Sequence, residues 1–348
     1  MVAPAWFAVP PERYGGIEWV VSLLADGLVD AGHEVVLFAS GGSVTKAQLV
    51  STFAEPPSYR IGQSMPDLEH TLTAWLHAGD FDLVNDHSGM LAAAMAGLSP
   101  VPVCHTVHGP LDGEPGRVYR QIARISPRLR LISLSMNQRR PAPDLPWLAN
   151  CPNALDLDAY PFSERRGDYL LFLGRLSPDK GAARAIEVAQ EVGAPLKIAG
   201  KMHDQLEREY FQREIAPHLG DDVEYLGEVS HEEKVRLLQR ARCTLFPIAW
   251  EEPFGLVMIE SMACGTPVVA TRFGAVPEVI GDSGEGGIVV DHLAGMAAAV
   301  AVADTIDPAT CRSYAESHFS ERRMIRSYLD AFTLLLEEQG GSRPRRVG

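Results

Sequence analysis

Short apolar runs alternate with stretches of helical periodicity along this chain, and the alternation runs through twice. In the first half, residues 1–9, 34–39, 82–85, 101–107 and 147–153 have strand character, the opening run being short for a complete strand. Ile17, Val20, Val21, Leu24 and Leu28 recur at helical spacing until Gly32, and a second helix is expected from Pro66-Asp67 to about Ala78. The second half restarts the pattern, with strands expected at 169–173, 196–199, 223–226, 243–248, 267–270 and 288–290. Residues 315–338 read as one long amphipathic helix. Strands joined through helices pair in parallel under two covered faces, which defines an α/β, doubly wound class. A chain of 348 residues is too long for one ordinary core and suits two such domains. Ligands of these sheets bind beyond the carboxyl ends of the strands, which singles out the residues just after each strand.

One such place is Glu252-Pro253-Phe254-Gly255-Leu256-Val257-Met258-Ile259-Glu260. A helix is expected to start at 253–255 and to end near Cys264-Gly265, with Pro267 beyond it. The two glutamates then stand roughly two turns, about 12 Å, apart. The amides of Phe254, Gly255 and Leu256 lie at the helix N-terminus, where free donors and the dipole favour an anion. Such an element can hold a phosphate at its end while the acids grip hydroxyls of neighbouring sugars. Two surface acids on an amphipathic helix is the plainer alternative. Residues 174–181 likewise follow a strand and open a helix. There Arg175 and Lys180, five residues apart, suit a diphosphate, and the spacing is not that of a Walker A loop. Gly15-Gly16 occupies a strand-to-helix turn, where missing side chains let a ligand approach the backbone, without the G-x-G-x-x-G of a dinucleotide site. Asp86, His87 and His108 fall at strand ends, and Asp86 and His87 are acceptor-side candidates. His105, on the opposite strand face from His108, reads as structural.

The pattern E-P-F-G-L-x-x-x-E-x-M-A-C-G-x-P-V-V-A at 252–270 resembles the E-x7-E signature of retaining glycosyltransferases of family 4. Further matches extend over nearly the whole chain: G-R-x-x-x-x-K-G at 174–181, T-x-H at 106–108, and P-N-A-L-D at 152–156 where the family has P-N-G-x-D. The resemblance implies a GT-B fold, two Rossmann-like domains facing a central cleft. Residues 1–155 would form the acceptor-side domain, completed by the last helix at about 320–340, and residues 156–319 the nucleotide-sugar domain. It further implies a retaining hexosyltransferase that moves a UDP- or GDP-linked hexose to the hydroxyl of a small molecule, glycan or glycolipid. Glu252 would grip the donor sugar and Glu260 the ribose; His108 would touch the donor sugar; Arg175 and Lys180 would clamp the diphosphate. Gly15, Gly16, Gly200, Val229, Lys234, Phe254, Gly255 and Leu256 would line the donor. Residues 272–278 resemble a loop that packs near it. Ala154, in place of the family's glycine, weakens the case for a left-handed backbone there.

A net charge of −14 argues against nucleic acid as a partner. No apolar run approaches the ~20 residues of a membrane span, and no signal peptide opens the chain. Five scattered cysteines without C-x-x-C spacing fit reduced thiols in a cytoplasm. Asp156-Leu157-Asp158 spells D-x-D, a metal motif of a different transferase fold, but stands at the crossover between halves. With cations and a helix end supplying positive charge, neither a metal nor another cofactor is expected. Residues 117–140 carry seven arginines, of which Arg117, Arg120 and Arg124 share a helical face opposite Val118, Ile122 and Ile125. The alternatives are a solvated face, an anionic acceptor, or peripheral contact with anionic lipid, as in some members of the family. The competing functions are a sugar-nucleotide epimerase, a glycan phosphorylase (for which no pyridoxal lysine is evident) and a non-catalytic nucleotide-sugar binder. Residues 341–348, polar and basic, read as a disordered tail.

Overall fold

The computed structural model describes residues 1–12, 15–202, 204–281 and 284–340; the expected tail at 341–348 lies outside them. The chain divides into two compact units, Met1–Ala154 together with the segment from Glu321 onward, and Leu155–Ser320. No described helix is long and apolar enough to cross a membrane.

In the first unit the parallel strands β1 (Val36–Ala39), β2 (Gln48–Ser51), β3 (Val84–Asp86), β4 (Val103–Thr106), β5 (Arg130–Ser133) and β6 (Trp147–Asn150) form two runs, β1-β2 and β3-β4-β5-β6. Val2 joins the runs through parallel bridges to Phe38 and to Asp86. The apolar opening is thus a strand reduced to one bridging residue, and the order of strands reverses there, at a topological switch point. Two strands were not anticipated. β2 is a half-exposed edge, and β5 sits inside the arginine-rich stretch with a short apolar run. The core gathers Val84, Val103 and Leu131 of the sheet with Tyr119 and Ile122 of the helix Glu114–Ile125. On that helix Ile125 departs from the expected apolar face and is 67% exposed, because the helix ends there and Ser126 turns the chain.

The helix expected over 315–338 is two helices, Pro308–Phe319 and Glu321–Glu338, separated at the extended residue Ser320. The Phe319 carbonyl accepts the Leu155 amide at 3.1 Å, and Ser320 bridges Leu155, so the helical bond series cannot run through them. The helix Glu321–Glu338 packs on the helix Gly16–Asp30 and buries Met324, Tyr328 and Leu335.

The second unit carries β7 (Leu170–Leu173), β8 (Leu196–Ala199), β9 (Val223–Gly227), β10 (Cys243–Phe246), β11 (Val268–Thr271) and β12 (Gly287–Val290), all parallel, in the order β12-β11-β10-β7-β8-β9. Successive side chains on each strand point to opposite layers, and those two apart share one. Leu170, Phe172, Ile198, Leu245 and Val269 pack with Ile186 of the helix Ala182–Val192 and Val300 of the helix Met296–Ala303. On the other face Thr244 bonds Ser261 of the helix Leu256–Ala263 at 2.7 Å.

Candidate active site

The strand order of the second unit reverses between β7 and β10, and the loops after these two strands carry the expected clamp residues. After β7 the chain passes Arg175 and Lys180 into the helix Ala182–Val192; after β10 it passes Glu252 into the helix Leu256–Ala263. Gly255 caps the latter helix at φ +84°, where a Cβ would also come within 2.6 Å of the Met258 side chain. Met258, Ile259 and Met262 are fully buried, which contributes about 5–9 kcal/mol of transfer free energy and fixes the helix in place. The Glu252 carbonyl accepts the Ala275 amide at 2.8 Å. Gly274, at φ +55°, permits that approach, since a Cβ there would lie 2.3 Å from the Glu252 nitrogen. The loop at 272–278 therefore has a physical task, which is to hold the backbone of Glu252.

Glu252 is 8% exposed and Glu260 7%, which excludes the reading of two surface acids. Each is paired with a lysine. Lys180 Nζ donates to Glu252 Oε2 at 2.5 Å and lies 4.4 Å from the Trp250 ring centroid. Lys234 Nζ donates to Glu260 Oε1 at 2.6 Å, so the structure places this lysine on the acid expected to hold ribose. Arg175 donates to Glu207 Oε1 at 3.1 Å, and Asp204 caps the helix Gln205–Tyr210 that carries Glu207. Glu207 and Tyr160 were not anticipated. The Tyr160 hydroxyl donates to Glu260 Oε1 at 2.6 Å and accepts from Lys234 at 3.0 Å. Burial, with Glu260 beside it, pushes this phenol well above its ordinary range, so it remains a donor. Arg312 fixes the Tyr160 carbonyl at 2.6 Å.

The remaining second-unit candidates have local explanations. A Cβ on Gly200 would meet the Gly174 carbonyl oxygen at 1.9 Å, so strand-end packing alone requires a glycine. Val229 is half-buried just before Ser230, which caps the helix His231–Arg240 that carries Lys234. Phe254 is buried edge-on against Phe319, with ring centroids 5.7 Å apart, while Leu256 opens the helix half-exposed. Asp156 accepts the Asp158 amide at 3.0 Å, which makes the D-x-D segment a capped turn. No non-glycine residue among those described, Ala154 included, has a positive φ.

In the first unit β3 and β4 set Asn85 beside Cys104 and Asp86 beside His105. Alternation sends these two pairs to opposite faces. Asp86 is fully buried; its Oδ2 meets His105 Nδ1 at 2.5 Å, and its Oδ1 accepts the amide and hydroxyl of Ser88. His105 Nε2 reaches the Tyr119 hydroxyl at 2.8 Å. Asp86, expected as an acceptor-side group, thus has both its oxygens engaged inside the unit. His87, the other acceptor-side candidate, is engaged internally as well. It is 2% exposed, lies 2.9 Å from His108 and 2.6 Å from Asn85, and stacks near Tyr328 with centroids 5.9 Å apart. His108 keeps partial exposure, and burial lowers its imidazole to about 3. Gly15, at φ +153°, would place a Cβ 2.8 Å from Glu18 Oε2, and Gly16 begins the helix Gly16–Asp30. Glu18, also not anticipated, is 4% exposed, and burial raises its carboxyl to about 7. Of the arginine-rich stretch, Arg120 is committed to Asp144, Arg130 to Glu338, and Arg139 to Ser133 and the Trp147 ring; Arg117, Arg124, Arg128 and Arg140 are exposed.

Two parallel α/β units, one with paired cations and acids at its switch point, define a glycosyltransferase of the GT-B class. The family profile "Glycosyltransferase Family 4" matches residues 14–142, and "Glycosyl transferases group 1" matches residues 161–314. Phosphatidyl-myo-inositol mannosyltransferase of Mycolicibacterium smegmatis is 31% identical over 340 residues, covering 86% of this chain and 83% of its own. Glycogen synthase of Mycobacterium tuberculosis is 28% identical over 367 residues, with 88% and 86% covered. Among solved structures, AviGT4, a glycosyltransferase involved in avilamycin A biosynthesis, superposes with a TM-score of 0.71 at 27% identity, covering 98% of this chain and 95% of that one. Anabaena HepE in complex with UDP and glucose has the same fold, with a TM-score of 0.74 at 16% identity and 94% and 97% covered. The chain belongs to glycosyltransferase family 4 and is a hexosyltransferase.

Proposed function

We propose that this enzyme transfers a hexose from a UDP- or GDP-linked donor to an acceptor hydroxyl with retention at the anomeric carbon. The observation that carries the reading is the helix Leu256–Ala263 with a buried, lysine-paired acid just before it and another within it. Arg175, Lys180 and the helix N-terminus supply positive charge for a departing diphosphate, so the reaction needs no metal. The bond from the anomeric carbon to the phosphate oxygen breaks, and the acceptor oxygen bonds that carbon on the same face. The acceptor proton passes to the leaving phosphate. Glu252 orients hydroxyls of the moving sugar, Glu260 holds the ribose, and His108 contacts the donor sugar. Five buried free thiols support a cytoplasmic setting. The relatives' names cover a lipid, a polysaccharide and an antibiotic pathway, and the acceptor is of hydroxyl class without further assignment. A mass-spectrometric screen of nucleotide sugars against hydroxyl acceptors tests the reading. A mass gain of one hexose on an acceptor is the expected result; tight nucleotide binding with neither transfer nor donor hydrolysis would make the protein a binder.

A further inference from the structure

The groups behind His108 fix more than its position. Burial pushes the Cys104 thiol up to about 12, so at neutral pH its proton is in place and points to the Val84 carbonyl at 3.7 Å. The sulfur is then left as an acceptor for Asn85 Nδ2, at 3.4 Å. That contact decides which way the Asn85 amide is turned, and its Oδ1 consequently faces His87 Nε2 at 2.6 Å. An amide oxygen only accepts, so His87 Nε2 carries the proton. A neutral imidazole has one N–H, so His87 Nδ1 is a lone pair facing His108 Nε2 at 2.9 Å. Burial holds both rings neutral.

We propose that the series Val84, Cys104, Asn85, His87 is a positioning relay that locks His108 in the Nε2–H tautomer, leaving its Nδ1 to act toward ligand only as a hydrogen-bond acceptor. His108 Nδ1 has no hydrogen-bond partner among the described residues, which agrees with a nitrogen kept for a ligand. Tyr328 supports the middle of the relay, packing on His87 while its hydroxyl meets Thr106 at 3.1 Å. The series Asp86, His105, Tyr119 lies on the other strand face and shares no hydrogen bond with it. One chemical consequence, which rests on the reading of His108 as a donor-sugar contact, concerns specificity. The partner must be a hydroxyl that donates. A fluorine at that sugar position fills the same space but offers no proton, and leaves Nδ1 unpaired.

The test is long-range 1H–15N correlation spectroscopy on the full chain labelled at histidine, with His87→Gln and His108→Gln spectra for assignment. At neutral pH the His108 signals should show a protonated Nε2 and an unprotonated Nδ1 in a single tautomer. Free imidazole exchanges between tautomers, so the discriminating reading is the change on breaking the relay. Asn85→Leu removes the acceptor and should move the His87 and His108 signals toward the exchange average. Cys104→Ser, whose hydroxyl can donate to Val84 and accept from Asn85, should leave them in place. A protonated Nδ1 on His108 in the wild type overturns the proposal without any variant, and an unchanged His108 tautomer in Asn85→Leu overturns it as well. Singly fluorinated donors give a separate arm, in which one position should lose about tenfold or more in kcat/KM in the wild type and far less in His108→Gln, as for an unmade hydrogen bond to that ring. If every fluorinated donor is accepted while the spectra hold, the relay stands and His108 is not the sugar contact.

Discussion

Glu252→Gln should tighten the binding of a free nucleoside diphosphate and at the same time slow transfer. The ammonium of Lys180, proposed to meet the leaving phosphate, is already bonded to Glu252 at 2.5 Å. A phosphate oxygen on the same ammonium would stand on the order of 5 Å from the Glu252 carboxylate, where two unit charges repel by about 3 kcal/mol at an effective dielectric near 20. Lys180 is 18% exposed, so water and salt reduce this, and about 1 kcal/mol remains, or roughly fivefold in affinity. Glutamine keeps the length and one acceptor oxygen while removing the charge. The sugar complement changes in the other direction: hydrogen bonds that strengthen as the hexose becomes cationic are weakened, and kcat should fall by about 10²-fold. Calorimetry with UDP and with GDP reads the first effect, and donor kinetics the second. Lys180→Met, measured beside it, should bind the better nucleotide about tenfold more weakly. If Glu252→Gln lowers diphosphate affinity while its melting curve stays normal, Glu252 does not compete for Lys180 and the proposed placement of the phosphate is wrong. If Lys180→Met leaves affinity unchanged, the diphosphate does not sit on Lys180 at all.

Tyr160→Phe removes one of two donors from Glu260 Oε1 and should raise the donor KM by roughly 5- to 10-fold with kcat within about twofold, read by steady-state kinetics. Arg175→Ala should lower turnover by about 10²-fold, and Glu207→Gln, which removes the charge beside Arg175 and keeps the arginine, by far less; equal losses in both would assign Arg175 a structural task. Turnover in excess chelator should stay within about twofold, and a large loss restored by magnesium or manganese would contradict a metal-free site. Glu18 holds its proton to about pH 7 when folded but loses it near the ordinary carboxyl value of 4.5 when unfolded, so it detracts from stability increasingly as pH rises from about 4.5 to 7. Glu18→Gln should therefore raise the melting temperature at pH 8 and change it little at pH 4.5. Neutralising the exposed Arg117 and Arg124 should leave the donor KM unchanged, since neither is among the residues assigned to the donor.

How far the fold and site could be read in advance depends on the range of each constraint. The six strands of the second unit and the helix Leu256–Ala263 were legible because their signals are local: apolar runs, a glycine at the cap, a proline beyond the end. The partners of that helix were not. Lys180 lies 72 residues from Glu252, Lys234 26 residues from Glu260, and Tyr160 a hundred, and no spacing rule links them. The same limit explains Asp86. It was placed correctly at a strand end, yet whether a strand-end acid faces solvent or a neighbour depends on the register of β3 against β4, which parallel strands do not announce. The break at Ser320 escaped for a related reason. Buried Tyr314, Phe319, Met324 and Tyr328 keep a nearly helical rhythm across it, and only the bond from Leu155, which stands far away in sequence, interrupts the helix. Local pattern thus reveals which backbone carries the acids and cations. Long-range pairing decides their chemistry, because a carboxylate held by a lysine can take only the hydroxyls its remaining lone pairs can reach. In Glu260 the lysine and the tyrosine both use Oε1, so the orientation of whatever Oε2 receives is set by two residues outside the signature.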